Sequence, residues 1–343
     1  MTCSTAATPA RLESVPDPTS TPSAAAVLDP PPRGGAPGAP AVAGLRSPAT
    51  WLDEQHRHEV RADALTAAWH ARRAAREADE VEDFLFTYYP VRPARLRRWH
   101  PGVGRALLGA ANEVAERASW RWHRSTTSAD GRRGVALEAT AMLHDRGEAV
   151  RWIRGVLAST ARRPASLGCL GLHEWAMVYR AGTDVRHTLP LRLGSEGTDA
   201  VVEAHRIRCT HFDAFRFFTE PARPLNVLQP TAEDRAGNEQ PGCLHANMDL
   251  LRHALKLGPA VPGDLLLDCF ELARDVRVLD MEASPYDVTR LGYGTVAIET
   301  PQGRAEYVER QRGFAQRSAP LRERLLTVCD ALLAAGAADP TCV

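Results

Sequence analysis

The sequence predicts a mainly α-helical globular domain with one small antiparallel β-hairpin, and an α+β arrangement is the alternative. Apolar residues recur at helical spacing in several long segments, whereas one region alone combines alternation with the turn residues of paired strands. The chain of 343 residues is long enough to bury a large core. These observations together favour a multi-helix fold.

Three segments of the chain differ in composition. Residues 1–46 are rich in Ala, Pro, Ser, Thr and Gly and lack periodic apolar residues, so we expect a disordered tail. Ser47 and Pro48 then supply the N-cap and first-turn residues of a helix. We therefore predict a single mainly helical domain over residues 47–336 and a short C-terminal tail over residues 337–343.

The composition restricts the functional classes. The formal net charge is zero, so the molecule as a whole does not attract nucleic acid, although a local patch can. The seven cysteines are scattered without a CxxC pair, which argues against a disulfide framework and a thiolate zinc site. No apolar run is long enough for a signal peptide or a membrane span. We expect a cytoplasmic protein with no membrane contact and leave its oligomeric state open.

The most basic block, residues 91–124, interleaves arginines with tryptophans. Arginine neutralises phosphates and aromatic rings stack on bases, so the block predicts a DNA-binding patch. The alternative is a salt-bridged helix with buried tryptophans. Within the block, the Pro-Gly-Val-Gly sequence of residues 101–104 resembles the loop of a helix-hairpin-helix motif, provided that a helix follows it.

Residues 167–180 are predicted to form an apolar helix that carries Glu174. A buried carboxylate is costly unless it is paired or functional, so Glu174 is the first catalytic candidate, with a structural ion pair as the alternative. Because Lys256 is the single lysine, the sequence argues against a lysine-based mechanism.

Residues 187–193 and 200–209 flank the turn-rich residues 194–199, a pattern that predicts the β-hairpin. A short helix is expected to begin at Thr210, where Asp213 fits a capping pattern. The segment 205–220 concentrates histidines, arginines and phenylalanines and predicts the wall of a pocket, in which Asp213 is either a cap or a catalytic group.

Two further helices, residues 243–257 and 263–282, carry polar side chains at helical spacing. In the first, His245 and Asp249 are four residues apart and form a surface pair or bind a metal. In the second, Asp268 and Glu271 belong to a carboxylate stripe, which neighbouring arginines can neutralise.

Six segments of the sequence together carry a resemblance to a known family: GLHEWAMVYR, LPLRLG, THFDAFRFFT, QPGCLHANMDLLRHALKL, LLLDCFELARDVRVLDMEASPYDV and GRAEYVERQ. They resemble an actinobacterial family whose members are usually named 3-methyladenine DNA glycosylases, and the resemblance covers roughly residues 80–330. It implies a monofunctional DNA N-glycosylase, a hydrolase that releases alkylated purines such as 3-methyladenine without a lysine lyase step and without a cofactor.

The resemblance also implies roles for individual residues. Such an enzyme extrudes the damaged base, stacks it on aromatic rings and uses a carboxylate to stabilise the sugar cation or the attacking water. The catalytic candidates are Glu174, Asp213 and His211. The expected substrate-binding residues are the aromatic Trp175, Tyr179 and Phe215, with Arg216, Arg92, Arg97 and Arg98.

A second hypothesis is a metal-dependent enzyme that acts on a small molecule through iron or manganese in a His/carboxylate site. A third is a non-enzymatic, helical nucleic-acid-binding or scaffold protein. Convergence of the candidates around one cavity favours an enzyme, and dispersal favours structural roles. The candidate metal ligands are His205, His211, His245, Asp268 and Glu271.

Overall fold

The computed structural model describes residues 44–182 and 189–337, and within these ranges it is mainly helical with a small sheet, as predicted. The strands are β1 (Gly44–Arg46), β2 (Arg105–Leu108), β3 (His123–Thr127) and β4 (Arg133–Leu137). The helices are α1 (Pro48–Ala75), α2 (Phe84–Thr87), α3 (Pro93–Arg97), α4 (Ala111–Ala118), α5 (Ala139–Ala161), α6 (Leu172–Ala176), α7 (Gly194–Ala204), α8 (Phe212–Phe215), α9 (Arg235–Asn238), α10 (Leu244–Leu257), α11 (Gly263–Glu282) and α12 (Pro301–Ala337).

The four strands form one sheet in the order β1-β2-β4-β3, in which β1 runs parallel to β2 and the other pairs are antiparallel. Leu107 and Val135 of this sheet pack against Trp51 of α1 and Trp99 in a small apolar cluster of their own. The sheet therefore lies against α1, beside the main helical core.

The predicted position of the β-hairpin was wrong. The hairpin of this fold is β3 and β4, whereas residues 194–204 form helix α7. Thr198, Val201 and Val202 are buried at helical spacing on α7, and this burial outweighs the strand propensity of the valines. Part of the other predicted strand, residues 187–188, lies outside the described residues.

The tail predictions were partly wrong at their boundaries. Residues 44–46 form β1, because they pair with the sheet, and α12 continues to Ala337. The rest of both predicted tails lies outside the described residues.

The helix-hairpin-helix interpretation of residues 101–104 was also wrong. Gly102 and Gly104, with φ of 92° and 76°, turn the chain into strand β2 instead of a helix.

The main core lies between the long helices α5, α10, α11 and α12, with the short α6 enclosed beside them. Positive φ angles at Leu170 and Gly171, 53° and 73°, begin α6 later than predicted, and all five of its residues are buried. Helix α6 therefore places polar side chains inside the core.

Across residues 44–182 and 189–337, we find no helix with the length and apolar character that a membrane crossing requires.

Because α12 approaches the preceding turn closely at Gly303, we expect even an alanine at this position to destabilise the fold. A Cβ atom on Gly303 would lie 2.0 Å from the carbonyl oxygen of Ala297, whereas a Cβ on Gly313 of the same helix would meet no atom within 4 Å. We expect Gly303→Ala to lower the free energy of unfolding by about 1–3 kcal/mol through overpacking. Gly313→Ala should leave it unchanged or raise it by up to about 1 kcal/mol. Chemical denaturation of both variants checks this, and equal midpoints would contradict the packing described here.

Candidate metal centre

Two groups of histidines and carboxylates lie inside the helical core. Group 1 consists of His173, His245 and Asp280, and group 2 of His211, Glu239 and Asp249. Within each group the nitrogen and oxygen atoms that could bind a metal lie within 4.8 Å of one another. The rings of His211 and His245 are 5.3 Å apart, so the two groups adjoin.

Helices α6 and α11 hold two members of group 1 in direct contact. His173 Nε2 lies 2.9 Å from Asp280 Oδ1, and His173 Nδ1 lies 3.4 Å from the Cys169 sulfur. Burial alone would lower the pKa of His173, but Asp280 and Cys169 raise it well above its ordinary value. Burial would raise the pKa of Asp280, and His173, His245 and Arg277 instead hold it below its ordinary value. The histidine and the aspartate therefore form an ionised pair.

His245, in the first turn of α10, completes group 1 and differs from the other two members. Its ring meets the ring of His173 edge-on at 4.6 Å, and the described residues offer it no hydrogen-bond partner. Burial, followed by the charge of His173, lowers the pKa of His245 to about 3. His245 is therefore a neutral imidazole with ring nitrogens available to a ligand.

Group 2 already surrounds a cation, the guanidinium of Arg235 on α9. Arg235 Nε donates to Glu239 Oε1 at 2.6 Å, and Arg235 Nη2 donates to Asp249 Oδ2 at 2.7 Å and lies 3.5 Å from His211 Nε2. Tyr89 donates a further hydrogen bond of 2.8 Å to Asp249. Burial would raise the pKa of Asp249, but Arg252, His211 and Arg235 hold it well below its ordinary value.

A narrow pocket reaches group 1 from the side of α2. The cavity itself has a volume of about 20 Å³, which is room for about one water molecule, and it lies in a crevice that is open to solvent. Four polar side chains and four apolar or aromatic side chains border it: Glu174, Asp213, His245 and Arg277, and Phe84, Tyr88, Met177 and Phe217. Of the four polar residues, Glu174 is paired with Arg277 at 3.3 Å and Asp213 with Arg252 and Arg235.

The structure brings four of the predicted catalytic or metal-binding residues together. Glu174, Asp213 and His245 border the pocket, and His211 lies directly behind it in group 2. The ion-pair alternative for Glu174 also holds, because Arg277 contacts it.

The other three predicted metal ligands lie elsewhere, so that part of the predicted set was wrong. His205 Nδ1 bonds the Val201 carbonyl oxygen at 2.7 Å, because the residue ends helix α7. Asp268 and Glu271 are ion-paired, but with Arg61 of α1 and not with Arg274 and Arg277, the neighbouring arginines of α11 that were expected to neutralise them.

The three aromatic residues predicted to stack on a base are buried in the core. Trp175 donates a 2.8 Å hydrogen bond to the Ala283 carbonyl oxygen, Tyr179 donates one to Glu203, and Phe215 packs against Phe218. None of the three is among the described residues that border the pocket, because Trp175 on α6, Tyr179 after α6 and Phe215 on α8 all pack into the core. Arg216 lies nearer, with its guanidinium 3.3 Å from the Tyr88 hydroxyl.

At two positions of the basic block, residues 91–124, the arginines are paired or buried against tryptophans, as in the alternative to a DNA-binding patch. Arg117 is buried among the rings of Trp51, Trp99 and Trp120, and Arg97 pairs with Glu59 and Asp63. Arg97 thus ties α3 to α1, and Arg117 of α4 packs on Trp51 of α1. The guanidinium of Arg98 lies over the Trp120 ring, and Arg92 is exposed where α3 begins.

Sequence reasoning missed His173, Asp280, Glu239 and Arg235. His173 precedes Glu174 in an apolar segment and could have been found by the same argument about buried polar groups. Asp280 follows Arg277 by three residues, a helical pairing distance, on the apolar face of α11. For Glu239 and Arg235, in the proline-rich loop and its short helix α9, we find no comparable local signal.

Comparison of the chain with protein-family models, with curated proteins and with solved structures found no match. The resemblance to the glycosylase family therefore stays a prediction.

The hydrogen bond from Tyr89 to the fully buried Asp249 leads to a stability prediction. Tyr89→Phe removes a donor to a buried charged group, so we expect the free energy of unfolding to fall by about 1–3 kcal/mol. The matched control is Tyr293→Phe, because Tyr293 donates a similar 2.9 Å bond to the partly exposed Asp79. Because water can replace that bond, Tyr293→Phe should lower the free energy of unfolding less than Tyr89→Phe does. Urea denaturation of both variants measures the difference. A larger loss in the control would contradict the burial described for group 2.

Proposed function

We propose that the protein is a metal-dependent enzyme that acts on a small molecule, in which His173, His245 and Asp280 bind iron or manganese beside the narrow pocket. One observation carries the proposal: His245 borders the pocket as an imidazole without a hydrogen-bond partner among the described residues, and its ring nitrogens lie within reach of His173 and Asp280. A histidine with no structural partner at the inner end of a pocket is available to a ligand.

Group 1 suits a metal ion better than group 2 because the cation position of group 2 is already filled. Arg235 reaches all three members of group 2. In group 1, Arg277 contacts Asp280 at 3.1 Å, and no contact between Arg277 and either histidine is found among the described residues.

The side chains of group 1 are of the types that iron(II) and manganese prefer as ligands. Two imidazoles and one carboxylate with open positions form the arrangement typical of non-haem iron(II), and manganese accepts the same ligands. The 2.9 Å contact between His173 Nε2 and Asp280 Oδ1 is a hydrogen bond, so a metal ion would take the place of the proton that these two atoms share. Bound there, the ion would act as a Lewis acid on the substrate.

The remaining pocket residues supply orientation and proton transfer. Glu174 lies at the pocket beside His173 on the same helix, so its carboxylate is placed to accept a proton from a bound molecule. Phe84, Tyr88 and Phe217 surround the entrance and limit the access of water.

Elemental analysis tests the proposal directly. Full-length protein purified without chelator should contain about one equivalent of iron or manganese per chain, and His245→Ala should lose most of it because one of three ligands is removed. The matched control is His205→Ala, since His205 belongs to neither group.

Equal metal content in the wild type and His245→Ala, or a wild type without bound metal after reconstitution with iron(II) or manganese(II), would contradict the proposal. Loss of metal in His205→Ala alone would place the ion elsewhere. Zinc at the same stoichiometry would retain the centre and overturn the assignment of iron or manganese.

The glycosylase implied by the sequence resemblance is the second candidate function. One observation favours it: the carboxylates Glu174 and Asp213 share a pocket with the rings of Phe84, Tyr88 and Phe217. Such a pocket combines base stacking with the carboxylate that the reaction requires.

Base release from methylated duplex DNA separates the two candidates. A simple glycosylase releases 3-methyladenine after treatment with chelator, and Glu174→Gln should reduce release at least about 100-fold, as removal of an electrostatic stabiliser does. Glu306→Gln, at an exposed position on α12, should leave it unchanged. Absence of release at stoichiometric enzyme would exclude this candidate.

A further inference from the structure

A second, larger pocket lies where α1, the strands β1 and β2 and the start of α11 meet. Its volume is about 400 Å³, a size typical of small-molecule sites. No member of group 1 or group 2 is among the described residues that border it. Four arginines do border it, and we call it the arginine pocket: Arg46 of β1, Arg57 and Arg61 of α1, and Arg105 of β2.

The wall of the arginine pocket is positively charged. Among the described residues that border it, the four guanidiniums face two carboxylates, those of Glu54 and Asp264. Burial lowers the pKa of His58, and it lowers the pKa of His100 to about 3, so both imidazoles of the wall are neutral at pH 7. Four arginines and two carboxylates leave an excess of two positive charges, which favours an anion.

Arg105 and Arg61 differ in how much of their charge the protein already uses. Arg105 donates one hydrogen bond of 3.0 Å to the carbonyl oxygen of Pro101, and it has no carboxylate partner within the described part of the chain. Arg61 is paired with Asp268 at 2.8 Å and with Glu271. Arg105 is therefore a cation that lacks an anionic partner, whereas Arg61 is held by α11.

The other two arginines are paired only at the surface. Arg57 pairs with Asp53, and both side chains are more than half exposed. Arg46 pairs with Glu54 in a partly exposed contact. Ion pairs in contact with water contribute little to stability, so these two guanidiniums can turn to a ligand at little cost.

We propose that the arginine pocket binds the phosphate group of a small phosphate monoester. Such a phosphate carries close to two negative charges at pH 7 and has three terminal oxygens, so it can accept hydrogen bonds from several guanidiniums at once. Its charge matches the excess on the wall, and Arg46, Arg57 and Arg105 are the binding residues. Trp99 and Pro101 border the same pocket and provide apolar surface for the organic part of the ester.

Calorimetric titration of the full-length protein with ribose 5-phosphate and with ribose tests the inference, because only the first probe carries a phosphate. We expect ribose 5-phosphate to bind at least about tenfold more tightly than ribose. Arg57→Gln and Arg105→Gln should each weaken its binding about tenfold, since each removes a charge-assisted hydrogen bond. The matched control is Arg73→Gln, which changes an exposed arginine of α1 away from the pocket and should bind like the wild type.

Equal affinity for the two probes, or no binding of ribose 5-phosphate up to millimolar concentration, overturns the inference. An equal loss in Arg73→Gln would show attraction by the general charge of α1, and tighter binding of a duplex oligonucleotide without terminal phosphates would show a surface for a phosphodiester backbone. Either result overturns the pocket as a monoester site. The comparison of probes needs the wild type only, so it decides the question even where Arg105→Gln fails to fold.

The same titration after removal of metal by a chelator separates this inference from the proposed function. Unchanged binding of ribose 5-phosphate supports the arginine pocket, whether or not the protein contains iron or manganese. Loss of binding on removal of metal would place the phosphate on the metal ion and overturn the inference while the metal centre stands.

Discussion

Every carboxylate that this helical core encloses requires a positive or hydrogen-bonding partner, and that requirement organises the structure. Asp249 and Asp280 are fully buried on α10 and α11 and would destabilise the fold if left unpaired. Arginines and histidines from other segments converge on them. The loop that carries Arg235 and Glu239 is thereby tied to α10, and the short α6 is tied to α11 through His173.

The two polar groups meet this requirement differently, and the difference separates structure from candidate function. At group 2, Arg235, Arg252 and Arg216 approach the carboxylates of Glu239, Asp249 and the adjoining Asp213, and the guanidinium of Arg235 lies between these side chains. At group 1, the described residues provide one arginine, Arg277, for Asp280 and the adjoining Glu174, and a proton on His173 supplies further positive charge. The polar group with fewer internal cations is the one that the pocket reaches.

Beside the sheet, too, an arginine is a buried cation. Arg117 is buried among three tryptophan rings, and burial lowers its pKa to about 10. A planar, delocalised cation tolerates such an environment better than an ammonium does. The abundance of arginine and the single lysine therefore agree with a protein that uses guanidinium groups as internal cations, and a basic block in the sequence need not be a surface for phosphates.

The sequence by itself predicted the helical class, the long helices α1, α10 and α11, and Glu174, Asp213, His211 and His245 as candidate functional residues. These features depend on local periodicity and on the cost of burying polar groups, both of which are visible in a short window. The tertiary structure decided which of these residues meet. His173, Asp280, Glu239 and Arg235 come from segments far apart in the chain, and their pairing follows from the packing of α6, α9, α10 and α11. The helix at residues 194–204 was likewise decided by tertiary burial, because the valines favour a strand locally and the burial of one helical face outweighs that preference.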